Sequence, residues 1–144
     1  MEEPEYYVYF SMPSHAHPGS RVDVPASQYS LRNPYAFIYD RNVVVLMDEN
    51  TISRAELAVM MFRTPPNVTV IGSNSKGANG DIARLPLPGG ITMIFTSIGV
   101  YTPDMGQTHR IGLDPDIRVT RTIQGIAEGR DELMEAAVEY LLSN

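Results

Sequence analysis

A serine and a lysine are the two residues whose types and spacing could carry out chemistry. Ser53 follows a buried apolar run, and Lys76 lies 23 residues further along the chain. A serine hydroxyl is a weak nucleophile at neutral pH, so it needs an adjacent base and donors for an oxyanion. A lysine acts as that base only when neutral, which requires its pKa to fall from about 10.4 to about 7–8. Together the two residues could form a nucleophile and its general base.

Both residues also have a purely structural interpretation. Ser53-Arg54-Ala55-Glu56 fits the S-x-x-E capping box, in which the serine and the glutamate satisfy free N–H groups at the start of a helix. Lys76 lies in a glycine-rich loop, where a lone lysine is commonly exposed to solvent. From the spacing alone, the cap and the exposed lysine are the favoured interpretations.

The elements around these residues predict an α/β fold with a βαβ unit. The continuous apolar run at 43–47 indicates a central, parallel strand buried on both faces. A helix is predicted from about 53 to 63, apolar almost all round and therefore buried, and the next strand spans 68–71. Loops that follow parallel strands leave the sheet at one end, so Ser53 and Lys76 are predicted to project from the same end.

Residues 1–42 are predicted to form an irregular N-terminal segment with one or two strands, at 6–10 and 36–39. Residues 43–144 form the rest of the domain. Within them the pattern predicts a hairpin of strands 82–87 and 91–95, a turn at 103–106, an extended stretch at 107–122 and an amphipathic helix from about Asp131.

The composition excludes several function classes. The 144 residues contain no cysteine, which excludes a disulfide framework, a thiolate zinc site and a cysteine nucleophile. A net charge of −6 without a basic patch argues against nucleic acid as a partner. The loop at 72–80 lacks the G-x-x-x-x-G-K-[ST] pattern of a phosphate loop. No cofactor is therefore predicted.

Histidines and aspartates give the remaining candidates. His15 and His17 could contact a metal ion, but no carboxylate cluster lies near them in the sequence, so surface histidines are the favoured interpretation and no metal is predicted. His109, on an extended segment, could act as a base, although nothing in the sequence brings it to Ser53. Asp114-Pro115-Asp116 is interpreted as a turn with solvated acids.

Five segments, taken in order over about residues 43–142, resemble the C-terminal (tail-specific) processing peptidases. They are 43–56, 70–77 with its Val70-Ile71-Gly72 and Lys76-Gly77, Leu85-Pro86-Leu87-Pro88-Gly89-Gly90, Tyr101-Thr102-Pro103-Asp104, and Gly112-Leu113-Asp114-Pro115-Asp116-Ile117. The resemblance implies a crotonase-like (Clp protease-like) core and a serine endopeptidase activity on peptide or protein substrates. It maps Ser53 to the nucleophile and Lys76 to the general base. The amide of Arg54, at the N-terminus of the predicted helix, is predicted to help hold the oxyanion.

The sequence also departs from this family. The loop that carries Lys76 is a couple of residues shorter than in the Ser-Lys dyad enzymes, and a branch similar to the tricorn core peptidases uses a histidine supplied from upstream. The base is therefore either Lys76 or a group elsewhere. Residues 1–42 match neither the D-L-R-x-N-x-G-G-like segment of the family nor a PDZ module, so we expect the C-terminal part of a longer catalytic domain, which in isolation could be inactive.

Other functions remain open. A non-catalytic member that binds an apolar ligand or a peptide, similar to the retinoid-binding repeats of the eye matrix, is the main alternative. An acyl-thioester enzyme on a crotonase-like scaffold is a weaker one. The resemblance implies a bacterial periplasm or cell envelope, and it leaves the oligomeric state open, with a homo-oligomer among the alternatives.

Overall fold

The computed structural model describes residues 6–17, 19–24 and 39–144. Within these residues the chain forms eight strands and three helices, which together make a mixed α/β fold of small sheets. In chain order they are β1 (Tyr9–Pro13), β2 (Arg21–Val24), β3 (Val43–Met47), α1 (Arg54–Phe62), β4 (Val68–Gly72), β5 (Ile82–Leu87), β6 (Ile91–Thr96), β7 (Gly99–Tyr101), β8 (Ile117–Arg118), α2 (Ile123–Glu128) and α3 (Glu132–Ser143). None of the described helices is long and apolar enough to cross a membrane.

The sheet β3-β4-β8 is parallel throughout and contains the predicted βαβ unit. β3 pairs with β4 from Val43 opposite Val68 to Met47 opposite Gly72, which confirms the predicted parallel strands. The predicted central place of β3 is wrong for the described strands, because β4 lies between β3 and β8. β3 is accordingly half-buried along most of its length, and Met47 alone is buried.

Gly72 allows the carboxyl ends of β3 and β4 to approach closely. Its φ is 140°, and a β-carbon on it would lie 1.8 Å from the carbonyl oxygen of Met47. The N–H of Ser73 donates to that same carbonyl at 3.0 Å, and the N–H of Val119 donates to the carbonyl of Gly72 at 2.8 Å. The two loops that leave β3 and β4 are therefore held together at one end of the sheet.

Helix α1 confirms the predicted helix but not its burial on all sides. Val59 and Met60 are buried in the core beside Met47 and Val70. Phe62, however, is 47% exposed. The helix carries more apolar side chains than the described core can cover, so one face of the helix remains in contact with solvent within the described structure.

The second sheet, β2-β1-β7, is antiparallel. The strand predicted at 6–10 lies instead at Tyr9–Pro13, and the stretch after it, predicted as irregular, contains the β1–β2 hairpin. Polar groups close this hairpin: the N–H of Ser14 donates to the carbonyl of Ser20, and the N–H of Ser20 donates to the carbonyl of His17, both at 3.0 Å. The strand predicted at 36–39 lies outside the described residues except for its last residue, which is not in a strand.

β5 and β6 form the predicted antiparallel hairpin, which is a separate two-stranded sheet. Almost all of its residues are exposed, and they include large apolar side chains. The exposed apolar residues are Ile82, Leu85, Leu87, Ile91, Met93, Ile94 and Phe95.

The C-terminal region differs from its prediction in two respects. Helix α3 begins after Asp131 as predicted, but the short helix α2 was not predicted, and β8 is the only strand within the stretch predicted as extended. Asp116 is not simply a solvated acid, because its Oδ2 accepts a hydrogen bond from the N–H of Val70 at 2.7 Å. Its other oxygen forms an ion pair with Arg63 at 3.3 Å, so the turn is attached to β4 and to the end of α1.

Candidate functional site

Ser53 lies on a sharp turn between strand β3 and helix α1. Its backbone angles are φ 56° and ψ −118°, a conformation that favours glycine. A residue held in such a region carries about 1–3 kcal/mol of strain and persists only where its surroundings enforce it. Ser53 is exposed to solvent. Ser53 therefore stands immediately before the first residue of α1, in a strained conformation and with its side chain in contact with solvent.

Two hydrogen bonds enforce this conformation. The N–H of Ser53 donates to the carbonyl oxygen of Ala78 at 3.0 Å and to Oε2 of Glu56 at 3.2 Å. The second bond is the glutamate half of the predicted capping box. Ser53 is thus tied both to its own helix and to the glycine-rich loop that follows β4.

The segments that carry Ser53 and Lys76 run side by side. The N–H of Lys76 donates to the carbonyl oxygen of Thr51 at 2.9 Å, two residues before Ser53. The structure therefore brings together the two segments that were predicted to share one end of the sheet. The side chain of Lys76 is exposed, so the described part of the chain does not remove the water around its amine.

Glu56 is the site residue whose full role the sequence did not predict. It is fully buried, although it carries a carboxylate. Its Oε1 accepts hydrogen bonds from Oγ of Ser75 at 2.5 Å and from the N–H of Gly77 at 2.7 Å. The S-x-x-E spacing was a signal for the bond within the helix start, but nothing local indicated the bonds to the distant loop.

The loop from Ser75 to Gly77 is fixed from its other side by the segment around Gly112. Ser75 donates its N–H to the carbonyl of Leu113 at 3.1 Å, and the N–H of Leu113 donates to Oγ of Ser75 at 2.8 Å. Gly77 has φ 68°, and a β-carbon on it would lie 2.8 Å from the nitrogen of Gly112. Only glycine fits this position, because the conformation and the space both exclude a side chain.

The start of helix α1 offers a free backbone donor beside Ser53. Within the described part of the chain, no acceptor pairs with the N–H of Arg54, whereas the N–H of Ala55 donates to the carbonyl of Ile52 at 3.1 Å. The N-terminus of a helix also carries a partial positive charge. An oxyanion formed at Ser53 would meet a donor that has no competing protein partner.

The three histidines are not among the residues that form hydrogen bonds with Ser53 or with the loop of Lys76 in the described structure. His109 is in a turn, not on the predicted extended segment, and it lines a cavity of about 210 Å³ with Arg21, Tyr101 and Gln107 among its neighbours. Its Nδ1 is buried and has no hydrogen-bond partner among the residues that the structure describes. His15 and His17 are exposed in the β1–β2 hairpin. Within the described ranges, no group of three or more metal-ligating side chains comes together.

Comparison with known proteins shows which family the sequence matches. A sequence profile of peptidase family S41 matches residues 8–119. No curated protein matches the chain significantly. The crystal structure of a candidate peptidase from Parabacteroides merdae ATCC 43184 is similar over 99% of this chain and 44% of its own, with 28% identity and a TM-score of 0.80. The chain therefore spans less than half the length of that protein.

Two proteases of lower identity share the fold. Mature CPAF in complex with lactacystin has 18% identity and a TM-score of 0.63 over 85% of this chain and 23% of its own. The tricorn protease has 16% identity and a TM-score of 0.63 over 99% of this chain and 13% of its own. At these identities the similarity indicates a common fold and nothing finer.

Proposed function

The chain belongs to peptidase family S41, and from this premise we propose that it forms the C-terminal part of a serine endopeptidase catalytic domain with Ser53 as the nucleophile. The observation that carries the proposal is the strained turn at Ser53, with φ 56° between a strand and a helix. Strain of this kind concentrates at functional sites, whereas a helix cap alone needs no left-handed backbone. The parallel βαβ unit supports a crotonase-like core spanning residues 43–144 as part of the proposal.

In the proposed reaction, Oγ of Ser53 attacks the carbonyl carbon of the scissile peptide bond and gives its proton to a base. The negative charge moves to the carbonyl oxygen, which accepts a hydrogen bond from the N–H of Arg54. Collapse of the intermediate expels the amine, which takes the proton from the base, and water then hydrolyses the acyl-enzyme. Loss of one oxyanion donor in such a site lowers kcat by about 10²–10³.

We assign the base to Lys76. The support is the backbone contact between its loop and Thr51, which holds the loop beside the turn of Ser53. Because Lys76 is exposed, the bound substrate or a further protein segment must exclude water before the amine can act as a base. Peptide or protein substrates belong to the same proposal.

A second candidate function has its own observation in favour. The β5–β6 hairpin exposes large apolar side chains along both of its strands. Such a surface suits an apolar ligand or an extended peptide, as in a non-catalytic member of the family. The two functions differ in whether Ser53 reacts.

A covalent probe separates them. We expect a fluorophosphonate to label the full-length protein and to lose that labelling in Ser53→Ala. The matched control is Ser143→Ala, since Ser143 is an exposed serine at the end of α3 whose hydroxyl, within the described structure, forms hydrogen bonds only with its own helix and with Asn144. Labelling should persist in this control. A folded wild-type protein that no probe labels would favour the binding function and exclude the peptidase.

A further inference from the structure

We propose that Glu56 is a positioning residue whose buried carboxylate fixes Ser53 and the loop of Lys76 relative to each other. This inference rests on the proposed peptidase function. Glu56 itself is not proposed to touch the substrate. The carboxylate acts through the backbone of the two segments that carry the reacting side chains.

Each carboxylate oxygen of Glu56 accepts hydrogen bonds from a different one of these segments. Oε2 accepts the N–H of Ser53, which is one of the two hydrogen bonds that hold the strained turn, the other being the bond from the same N–H to the carbonyl of Ala78. Oε1 accepts the hydroxyl of Ser75 and the N–H of Gly77, the two residues on either side of Lys76. One side chain therefore sets the position of the nucleophile through one oxygen and of the candidate base through the other.

This arrangement requires a carboxylate rather than an amide. A capping box accepts glutamate or glutamine, because it uses a single acceptor. At Glu56 three donors converge on two oxygens, and a glutamine would present an NH₂ group to at least one of them. No cation pairs with Glu56 among the described residues, so these hydrogen bonds are what compensates its buried charge.

The consequence for a reaction is a loss of alignment. A shift of about 1 Å between reacting groups lowers the rate by up to about 10²-fold. We expect Glu56→Gln, in the full-length protein, to lower kcat and the rate of fluorophosphonate labelling by about 10–100-fold, with KM within about twofold of wild type. The matched control is Glu139→Gln on the exposed face of α3. Among the described residues, the carboxylate of Glu139 has no partner, and its backbone carbonyl accepts a hydrogen bond from Oγ of Ser143. This control should leave both rates unchanged.

A merely structural role predicts a different outcome. In that case activity would fall only in proportion to the unfolded fraction. The rates are therefore measured well below the unfolding temperature and expressed per folded molecule, with folding followed by circular dichroism. A wild-type kcat per folded Glu56→Gln molecule would overturn the proposal.

A second readout does not need activity. Amide hydrogen exchange should become about tenfold faster at both Ser53 and Gly77 in Glu56→Gln and stay unchanged in Glu139→Gln. If the wild-type protein is inert to every probe and peptide, the peptidase function fails, whereas coupled acceleration at both amides still supports the link through Glu56. Unchanged exchange at either amide overturns that link.

A milder variant covers the case in which Glu56→Gln does not fold. Ser75→Ala removes one of the three hydrogen bonds to Glu56 and also the bond that Oγ of Ser75 accepts from the N–H of Leu113, and it leaves the bond between Glu56 and Ser53 intact. We expect exchange to accelerate at Gly77 much more than at Ser53, and kcat to fall by about 3–10-fold. If hydrogen exchange accelerates equally at the two amides, or not at all at Gly77, the proposal that each oxygen of Glu56 positions a different segment is contradicted.

Discussion

Replacing Ser53 by glycine and, separately, by alanine measures the strain in the turn that precedes α1. Both variants lack the hydroxyl, so both lose any nucleophilic activity. They differ in the backbone, since glycine adopts a φ of 56° without strain and alanine does not. The comparison of the two variants therefore isolates the conformational energy from the chemistry.

The expected difference follows from three contributions. A backbone at φ 56° and ψ −118° lies in a sparsely populated region and destabilises a residue other than glycine by about 1–2 kcal/mol or more. Alanine is a poorer helix cap than serine by about 1 kcal/mol, and glycine by only a few tenths. Glycine loses about 0.5–1 kcal/mol more chain entropy on folding, which opposes the first two terms. We therefore expect Ser53→Gly to be about 1–2 kcal/mol more stable than Ser53→Ala.

Urea unfolding followed by circular dichroism gives this difference directly, and in a domain of this size it corresponds to about 3–8 °C in Tm. Labelling by a fluorophosphonate checks that both variants are equally inert. If Ser53→Ala proves as stable as Ser53→Gly, the turn carries no strain, and the argument from strain to function loses its basis.

Two further predictions concern stability. Gly72→Ala should destabilise the protein by about 3 kcal/mol or more in urea unfolding, because a β-carbon there would lie 1.8 Å from a carbonyl oxygen at the end of β3. The control is Gly89→Ala, which is also at positive φ but in open space and should destabilise the protein clearly less. Equal losses of stability in the two variants would contradict the close approach at Gly72. Hydrogen bonds from the N–H and then the hydroxyl of Thr122 lower the pKa of Glu132 below its usual 4.5. The stabilisation that ionised Glu132 gives to the folded state is therefore fully present above a pH of about 4.5. It is lost as the pH falls through the lowered pKa of Glu132. Glu132→Gln should flatten the decline in urea midpoint between about pH 5 and 3, whereas Glu139→Gln should leave the wild-type decline.

The βαβ unit was predictable because its signals are local. A continuous apolar run, a helix ended by two prolines and a second strand-forming run follow one another within 43–72. That order also indicated that the loops with Ser53 and Lys76 meet. The positive φ of Ser53 was not predictable, since it depends on bonds to Ala78 and Glu56, and of these Ala78 lies 25 residues away.

Other features depend on partners that no local pattern specifies. The aromatic run at 6–10 indicated a strand, but pairing with β2 and β7 moves the strand to Tyr9–Pro13. Helix α2 has six residues, too few for a periodic pattern, and it is recognisable mainly from its cap at Thr122 and from Gly129 at φ 70°. The assignments of Ser53, Lys76 and Arg54 to chemical roles stay predictions until the probe experiments are done.

The β5–β6 hairpin has a consequence for handling the protein. Each of its two strands pairs only with the other among the described strands, so within that part of the chain both outer edges have N–H and C=O groups without a strand partner. Open edges that also carry isoleucine, methionine and phenylalanine act as templates for strand addition between molecules. We therefore expect self-association to rise with concentration, and a lysine introduced midway along β6 to raise the solubility without changing the secondary structure.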